Sequence, residues 1–233
     1  MENQQKIVVF TGAGVSADSG ISTFRDSDGL WDKYRIEDVC TPEALIRNRN
    51  LVIDFYNTRR KEVMETTPNA AHRAIRRLEE AYDVAVITQN IDDLHERAGS
   101  RQITHLHGEI RKLRSSIDEN LIVPLEGWRQ DPQAKAPDGS LLRPFVVFFG
   151  ESVPMFDQAA KIAATADILI IVGTSLAVYP AASLVRYVRS DIPVYLVDPN
   201  QPDTTGIRNP LEHIRMRAAE GMPLLADRLL SGL

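Results

Sequence analysis

Ile7-Val8-Val9-Phe10 runs without a break into Thr11-Gly12-Ala13-Gly14-Val15-Ser16-Ala17. Four apolar residues in a row, with no polar alternation, read as a strand covered on both faces, the pattern of a parallel sheet. The stretch that follows fits G-x-G-x-x-G/A at Gly12, Gly14 and Ala17. Small residues at these places allow a tight turn, close approach of the backbone to a pyrophosphate, and packing of the next helix on the strand. Free N–H groups at the start of that helix would attract phosphates without any lysine. The competing reading is a strand-to-helix turn that binds nothing.

Outward from this junction, similar apolar runs recur at Val84 to Thr88, Phe145 to Phe149, Ile168 to Val172 and Val194 to Val197. Helical stretches at 43–66, 69–82, 157–166, 180–189 and 223–230 separate them, several opened by Pro, Thr or Asn. Strands alternating with helices predict an α/β fold, a Rossmann-like parallel sheet with helices on both faces. Segments 25–68 and 111–143 interrupt the alternation and are assigned to a smaller inserted lobe. Segments 1–24, 69–110 and 144–233 then make up the main domain.

The 233 residues, 43% hydrophobic and 25% charged, suit one large globular domain with room for a small insert. Lys and Arg total 27 against 32 Asp and Glu, a net charge of −5 with the signs interspersed. Such a surface carries no footprint for a nucleic-acid backbone or an anionic membrane, so neither is expected as a partner. No apolar run reaches the ~20 residues that span a bilayer, and no signal-peptide pattern opens the chain, so a cytoplasmic location is expected. Cys40 is the single cysteine. It cannot form an internal disulfide or supply a multi-thiolate zinc site.

In an ordinary dinucleotide fold an acidic residue for the ribose ends the second strand, about 20 residues beyond the glycines. That distance falls here in the loop-like stretch Ser27 to Tyr34, which disfavours a hydride-transferring dehydrogenase. Asp198, directly after Val194 to Val197, is an alternative partner for the ribose.

The full stretch from Gly12 to Arg25 resembles the glycine-rich signature of the sirtuins, the NAD-dependent protein lysine deacylases. Further matches follow in that family's order: Thr88-Gln89-Asn90-Ile91-Asp92, His105-Leu106-His107-Gly108-Glu109, Phe148-Phe149-Gly150-Glu151 and Gly173-Thr174-Ser175. The resemblance covers nearly the whole chain. It implies NAD as co-substrate, contacted by Gly12, Ala13, Gly14, Ala17, Phe24 and Arg25, by Gln89 to Asp92 including Ile91, and by Gly173, Thr174 and Ser175. Gln89 and Asn90 would hold the ribose and Asp92 the nicotinamide carboxamide, with Asp198 and Ala218 beside the adenosine.

His107 would be the general base, with Asn90 also catalytic, a role that suits an imidazole near neutral pH. The resemblance implies that the substrate acyl oxygen attacks C1′ of the nicotinamide ribose, that nicotinamide leaves, and that His107 draws a proton from the 2′-hydroxyl. His105, without a matching family role, reads as structural. Phe149, Gly150 and Glu151 would pair with the backbone of an acylated-lysine peptide. Two rivals remain open, protein mono-ADP-ribosyl transfer and an NAD-sensing module whose catalysis has lapsed. A monomer is the expected state.

Tyr56 and Arg59 stand at i and i+3 of a helical run, on one face. A phenol and a guanidinium side by side can clamp a carboxylate, although a solvated helix face explains the same spacing. Within the family the pair resembles the one by which some members recognise succinyl- or malonyl-lysine. The chain also departs from its family. Most sirtuins bind a structural zinc through two cysteine pairs between the histidine and FGE motifs, and 110–144 holds neither cysteine nor a further histidine. Ser115 and Ser116 stand near the first pair's place. Zinc is not expected, and Leu121 to Leu125, Trp128, Leu141 and Leu142 are candidates for a compensating apolar core.

Overall fold

Strand β1, Lys6–Thr11, buries every residue after Lys6, and its side chains alternate between two separate apolar clusters. Ile7 and Val9 face the helices Ala70–Leu78 and Ala218–Ser231, while Val8 and Phe10 face the helix Phe156–Ala164 and the short 3-10 helix Ala181–Arg186. Successive strand residues point to opposite faces, so a strand with helices on both sides needs apolar residues at every position. That is why Ile7 to Phe10 shows no alternation. The computed structural model describes residues 4–22 and 34–232; Phe24 and Arg25 lie outside the described residues.

Strand β1 pairs in parallel with β2 (Asp83–Thr88) and β7 (Ile168–Val172), Val9 standing between Val86 and Ile170. Strand β2 pairs with β3 (Ile103–His105), β7 with β8 (Val194–Val197), and β8 with β9 (Leu211–Ile214), all in parallel. The order is β3-β2-β1-β7-β8-β9, a six-stranded Rossmann-like sheet. A second sheet of three antiparallel strands has the order β5-β4-β6, with β4 Gly108–Ser115, β5 Ile122–Pro124 and β6 Leu142–Val146.

Several elements differ from the sequence reading, each for a local reason. The run Phe145 to Phe149 is not a strand of the parallel sheet; the strand lies earlier, at Leu142–Val146, and belongs to the second sheet. The 43–66 stretch is two helices, Pro42–Arg47 and Arg49–Glu65, divided at Asn48, whose side chain accepts from the Leu51 N–H and starts the second. The last helix begins at Ala218, five residues before Pro223. Its first turn is held from across the molecule, since the Asp18 carboxylate accepts from the Ala219 N–H (3.2 Å) and pairs with Arg217. Among the described residues no helix is long and apolar enough to cross a membrane.

The Arg49–Glu65 helix packs Val52, Phe55, Tyr56 and Val63 with Ile110, Val146 and Phe148 in a third cluster. It also holds the 128–130 loop. The fully buried Arg60 donates to the carbonyls of Ile110 (2.7 Å) and Trp128 (2.7 Å), and the Asn57 amide exchanges two hydrogen bonds with the Gln130 backbone. Leu113, Ala136 and Leu142, with Leu121, Val123 and Leu125 against them, form a small fourth cluster, while Trp128 stays 40% exposed.

Candidate active site

Strands β1 and β7 are neighbours, but the chain leaves them toward opposite sides of the sheet. Beyond the carboxyl ends of such a pair a crevice opens, the usual ligand site of an open parallel sheet. The two loops at its floor touch directly. A Cβ on Gly14 would lie 2.7 Å from the Gly173 Cα, and one on Gly173, at φ +59°, 2.4 Å from the Val15 nitrogen. The Gly14 N–H donates to the Gly173 carbonyl (2.8 Å) and the Gly12 N–H to that of Val172 (3.0 Å). These glycines are therefore required by contact between two backbones, and their N–H groups are already used. The amides of Ala13, Thr174 and Ser175 have no partner among the described residues. They are backbone donors of these two loops left available to a ligand.

Strand β2 delivers the next group. The Gln89 N–H donates to the Thr11 carbonyl (2.9 Å), and its side-chain amide to Thr174 Oγ1 (2.9 Å), so the ends of β1, β2 and β7 are tied together. Asn90 is nearly buried, and its amide donates to Ser16 Oγ (3.1 Å), which in turn donates to Asp92 Oδ2 (3.0 Å). The other Asp92 oxygen accepts from the Leu94 N–H (3.1 Å). Burial raises the Asp92 pKa, against the two hydrogen bonds that favour its carboxylate. Ser16 carries no assigned role in the sequence reading. Its position inside the glycine motif is the signal, since the same turn that places Gly12 and Gly14 aims its hydroxyl at Asn90 and Asp92.

Two histidines leave β3 side by side, and their hydrogen bonds separate their roles. His105 Nδ1 bonds the Asn90 carbonyl (2.9 Å) and its Nε2 the Glu96 carboxylate (2.7 Å). Burial works against its charged form, yet Glu96 prevails and the His105 pKa is raised. Both its nitrogens are engaged. His107 Nδ1 lies 2.9 Å from the Gln89 carbonyl, which can only accept, so this nitrogen carries the proton and Nε2 keeps its lone pair. Burial lowers the His107 pKa, partly offset by that carbonyl. The second ring is thus the one arranged to take a proton.

Tyr56 and Arg59 do not lie on a solvated face: they are 3% and 8% exposed. The Tyr56 hydroxyl donates to Cys40 Sγ (3.5 Å), and its ring stacks on Phe148 with centroids 5.7 Å apart. Burial holds the Tyr56 hydroxyl well above its usual pKa and pushes the Cys40 thiol up to about 11, while the Arg59 cation acts oppositely on both. Arg59 reaches Glu62 (3.3 Å) and the Ser22 carbonyl (3.4 Å). The Phe149 N–H donates to the Cys40 carbonyl (2.9 Å) while its side chain is exposed, and Gly150 turns at φ +90°. Glu151 points inward to Arg143 (2.6 Å). Ala17 ends the short helix after the glycines, and Ile91 is fixed through its carbonyl by the Ile110 N–H (2.8 Å). Asp198 and Ala218 are both buried, Asp198 accepting from the Asn200 N–H (2.8 Å) and Ala218 starting the helix that Asp18 holds.

Near the place where the resemblance puts a first cysteine pair, Ser115 Oγ bonds Asp138 (2.6 Å) and Ser140 (2.8 Å) and accepts from the amides of Ile117 and Asp118. Two hydroxyls and one carboxylate, already satisfied by one another and by backbone, do not fit a tetrahedral zinc ion.

Comparison with known proteins agrees with this geometry. The Sir2 family model matches residues 12–180. An NAD-dependent protein deacylase of Bacteroides thetaiotaomicron is 50% identical over 231 residues, covering 97% of this chain and 98% of the relative. One from Aggregatibacter actinomycetemcomitans is 54% identical over 197 residues, covering 84% and 94%. The crystal structure of a Sir2 homologue in complex with NAD superposes with a TM-score of 0.86 at 38% identity, over 99% of this chain and 91% of the other. The chain belongs to the Sir2 family, the sirtuins.

Proposed function

We propose that this protein is an NAD-dependent protein lysine deacylase, acting on acetyl-lysine and on acidic acyl groups such as succinyl- and malonyl-lysine. Nicotinamide and O-acyl-ADP-ribose are the products. The observation that carries the reading is the pair formed by His107, with Nδ1 protonated and Nε2 open, and the buried chain Asn90–Ser16–Asp92 beside it. Bound NAD supplies an electrophilic ribose carbon with nicotinamide as its leaving group. On this reading Ala13, Thr174 and Ser175 donate to its phosphates, Gln89 and Asn90 hold its ribose, and Asp92 orients the carboxamide. His107 Nε2 takes the proton that a ribose hydroxyl gives up, and the dry surroundings of Asn90 and Asp92 exclude water from the reacting carbon.

The acidic preference is supported by the burial of Tyr56 and Arg59 on one helix face, next to Phe148 and the segment that would hold the peptide. A guanidinium with a neutral phenol beside it suits a carboxylate better than a methyl group. On the same reading the protein works as a cytoplasmic monomer without zinc, and one zinc per chain by elemental analysis would contradict that last part.

The test is incubation with NAD and acetylated or succinylated peptides, read by mass spectrometry. Wild type should release acyl-ADP-ribose, and His107→Ala should not. Arg59→Met should cut desuccinylation on the order of a hundredfold more than deacetylation, the value of a desolvated charge-assisted pair. Labelled protein in place of free acyl-ADP-ribose would favour ADP-ribosyl transfer, and equal losses in Arg59→Met would remove the acidic preference.

A further inference from the structure

Glu151 carries the last charge of the segment that would meet the peptide, yet its carboxylate is committed inward. Arg143 of β6 reaches it with both terminal nitrogens, at 2.6 Å and 3.0 Å, and Arg114 of β4 lies 3.5 Å away. The second carboxylate oxygen also accepts the Phe148 N–H at 2.7 Å. The same Arg143 guanidinium donates to the Val146 carbonyl (3.1 Å) and lies over Phe148, its central carbon 4.0 Å from the ring centroid. Phe148 stacks on Tyr56, with 21° between the ring planes, and the Tyr56 hydroxyl reaches Cys40, whose carbonyl receives the Phe149 N–H. Glu151, Arg143, Phe148, Tyr56 and Cys40 thus form one column that closes on itself at Phe149.

From this column we infer that Arg143 and Glu151 are positioning residues for the acyl-lysine. Through Phe148 they fix the height of the Tyr56 ring and the direction in which the Phe149–Gly150 backbone faces the peptide. The Glu151 carboxylate, committed inward, leaves only its backbone to meet the peptide. The inference rests on the reading that acyl-lysine lies between Tyr56 and this backbone. Each link is directional. A bidentate fork fixes the guanidinium relative to the carboxylate, the guanidinium sits over the Phe148 ring, and that ring stacks on its neighbour Tyr56. A lysine at 143 would keep the charge and lose both the fork and the stack.

The column also explains why a substrate-facing segment ends in a buried ion pair. Phe149 and Gly150 lie on a bend with an exposed side chain and a positive φ, and such a bend is held only by what anchors its ends. Cys40 anchors one end and Glu151 the other. The second anchor belongs to strands β4 and β6 of the small sheet, so that sheet reaches the acyl site through Arg143 and Arg114.

The test compares Glu151→Gln, Arg143→Lys and Phe148→Leu, the last keeping the ion pair intact in case the first two fail to fold. Affinity for acetyl- and succinyl-lysine peptides is measured by calorimetry without NAD, so the readout does not depend on turnover, and NAD affinity is measured separately. All folded variants should lose peptide affinity on the order of tenfold, equivalent to about 1.4 kcal/mol, with NAD affinity unchanged. Arg143→Lys should resemble Glu151→Gln rather than wild type. Unchanged peptide affinity in Phe148→Leu, or equal losses for peptide and NAD, would overturn the inference. If wild type binds peptide as described but turns over no acyl-lysine, the proposed activity fails and the positioning role stands.

Discussion

Acidification should weaken this protein in part through a buried histidine that takes no part in the proposed chemistry. His72 is fully buried in the Ala70–Leu78 helix, where its Nδ1 accepts the Asn69 N–H (3.3 Å) as half of a capping box. Its ring meets that of His95 edge-on at 4.9 Å. Burial first, then the Arg73 cation, lower its pKa from 6.5 to about 4, with Glu96 acting weakly the other way. The unfolded chain therefore takes up a proton that the folded protein refuses. The contribution is complete above pH 6.5, drains as the pH falls, and is exhausted below about 4. At pH 5 an unfolded His72 is almost fully charged and the folded one almost fully neutral, which works out to about 2 kcal/mol.

His72→Gln removes the titration while keeping a capping-box residue at the third helical position. Urea unfolding of both proteins at pH 7 and pH 5 isolates the effect. Wild type should lose about 2 kcal/mol more than the variant over that interval. The comparison is of slopes, so any cost of burying glutamine cancels. Parallel losses would refute the reasoning.

Two further outcomes follow from the site. Gly173→Ala meets the Val15 nitrogen at 2.4 Å in a left-handed backbone conformation, and should cost at least about 2 kcal/mol in thermal unfolding and weaken NAD binding. A variant that melts and binds NAD like wild type would contradict the loop contact. On the proposed mechanism His107 is the base; burial depresses its pKa, so it stays neutral as the pH drops and the acid limb of kcat/KM should lie below pH 6.5. A limb above 6.5 would show that another group limits the reaction.

What the sequence reveals here follows burial. Ile168–Val172 and Val194–Val197 match their predicted bounds because central strands, apolar on both faces, announce themselves. Strand β9, Leu211-Glu212-His213-Ile214, lies at the sheet edge with two polar residues between its apolar ends, and β3 is three residues long, so neither gives an apolar run. The glycine loop and the Gln89–Asp92 turn were legible as motifs. Their mutual contacts were not, because Gly14 meets Gly173, Ser16 meets Asn90, and Asp18 holds the helix at Ala219 across 74 to 201 positions of chain. The spacing of Tyr56 and Arg59 also fits a solvated face, and only tertiary contacts, Tyr56 to Cys40 and Phe148 and Arg59 to the Ser22 carbonyl, show them to be interior.

Ser115 gathers Asp138, Ser140 and two amides at a point where relatives with paired cysteines would depend on thiolates. Thiolates are opened by peroxide and their metal is withdrawn by chelators, whereas hydroxyls and carboxylates respond to neither. If the protein works without zinc, as proposed, the small sheet that anchors Glu151 is fastened here by hydroxyls, a carboxylate and backbone amides, groups that peroxide does not oxidise. On the proposed reading this corner of the small sheet should hold its shape under oxidative stress that would loosen a thiolate-bound counterpart, and the oxidisable atom in the Glu151 column is the buried thiol of Cys40.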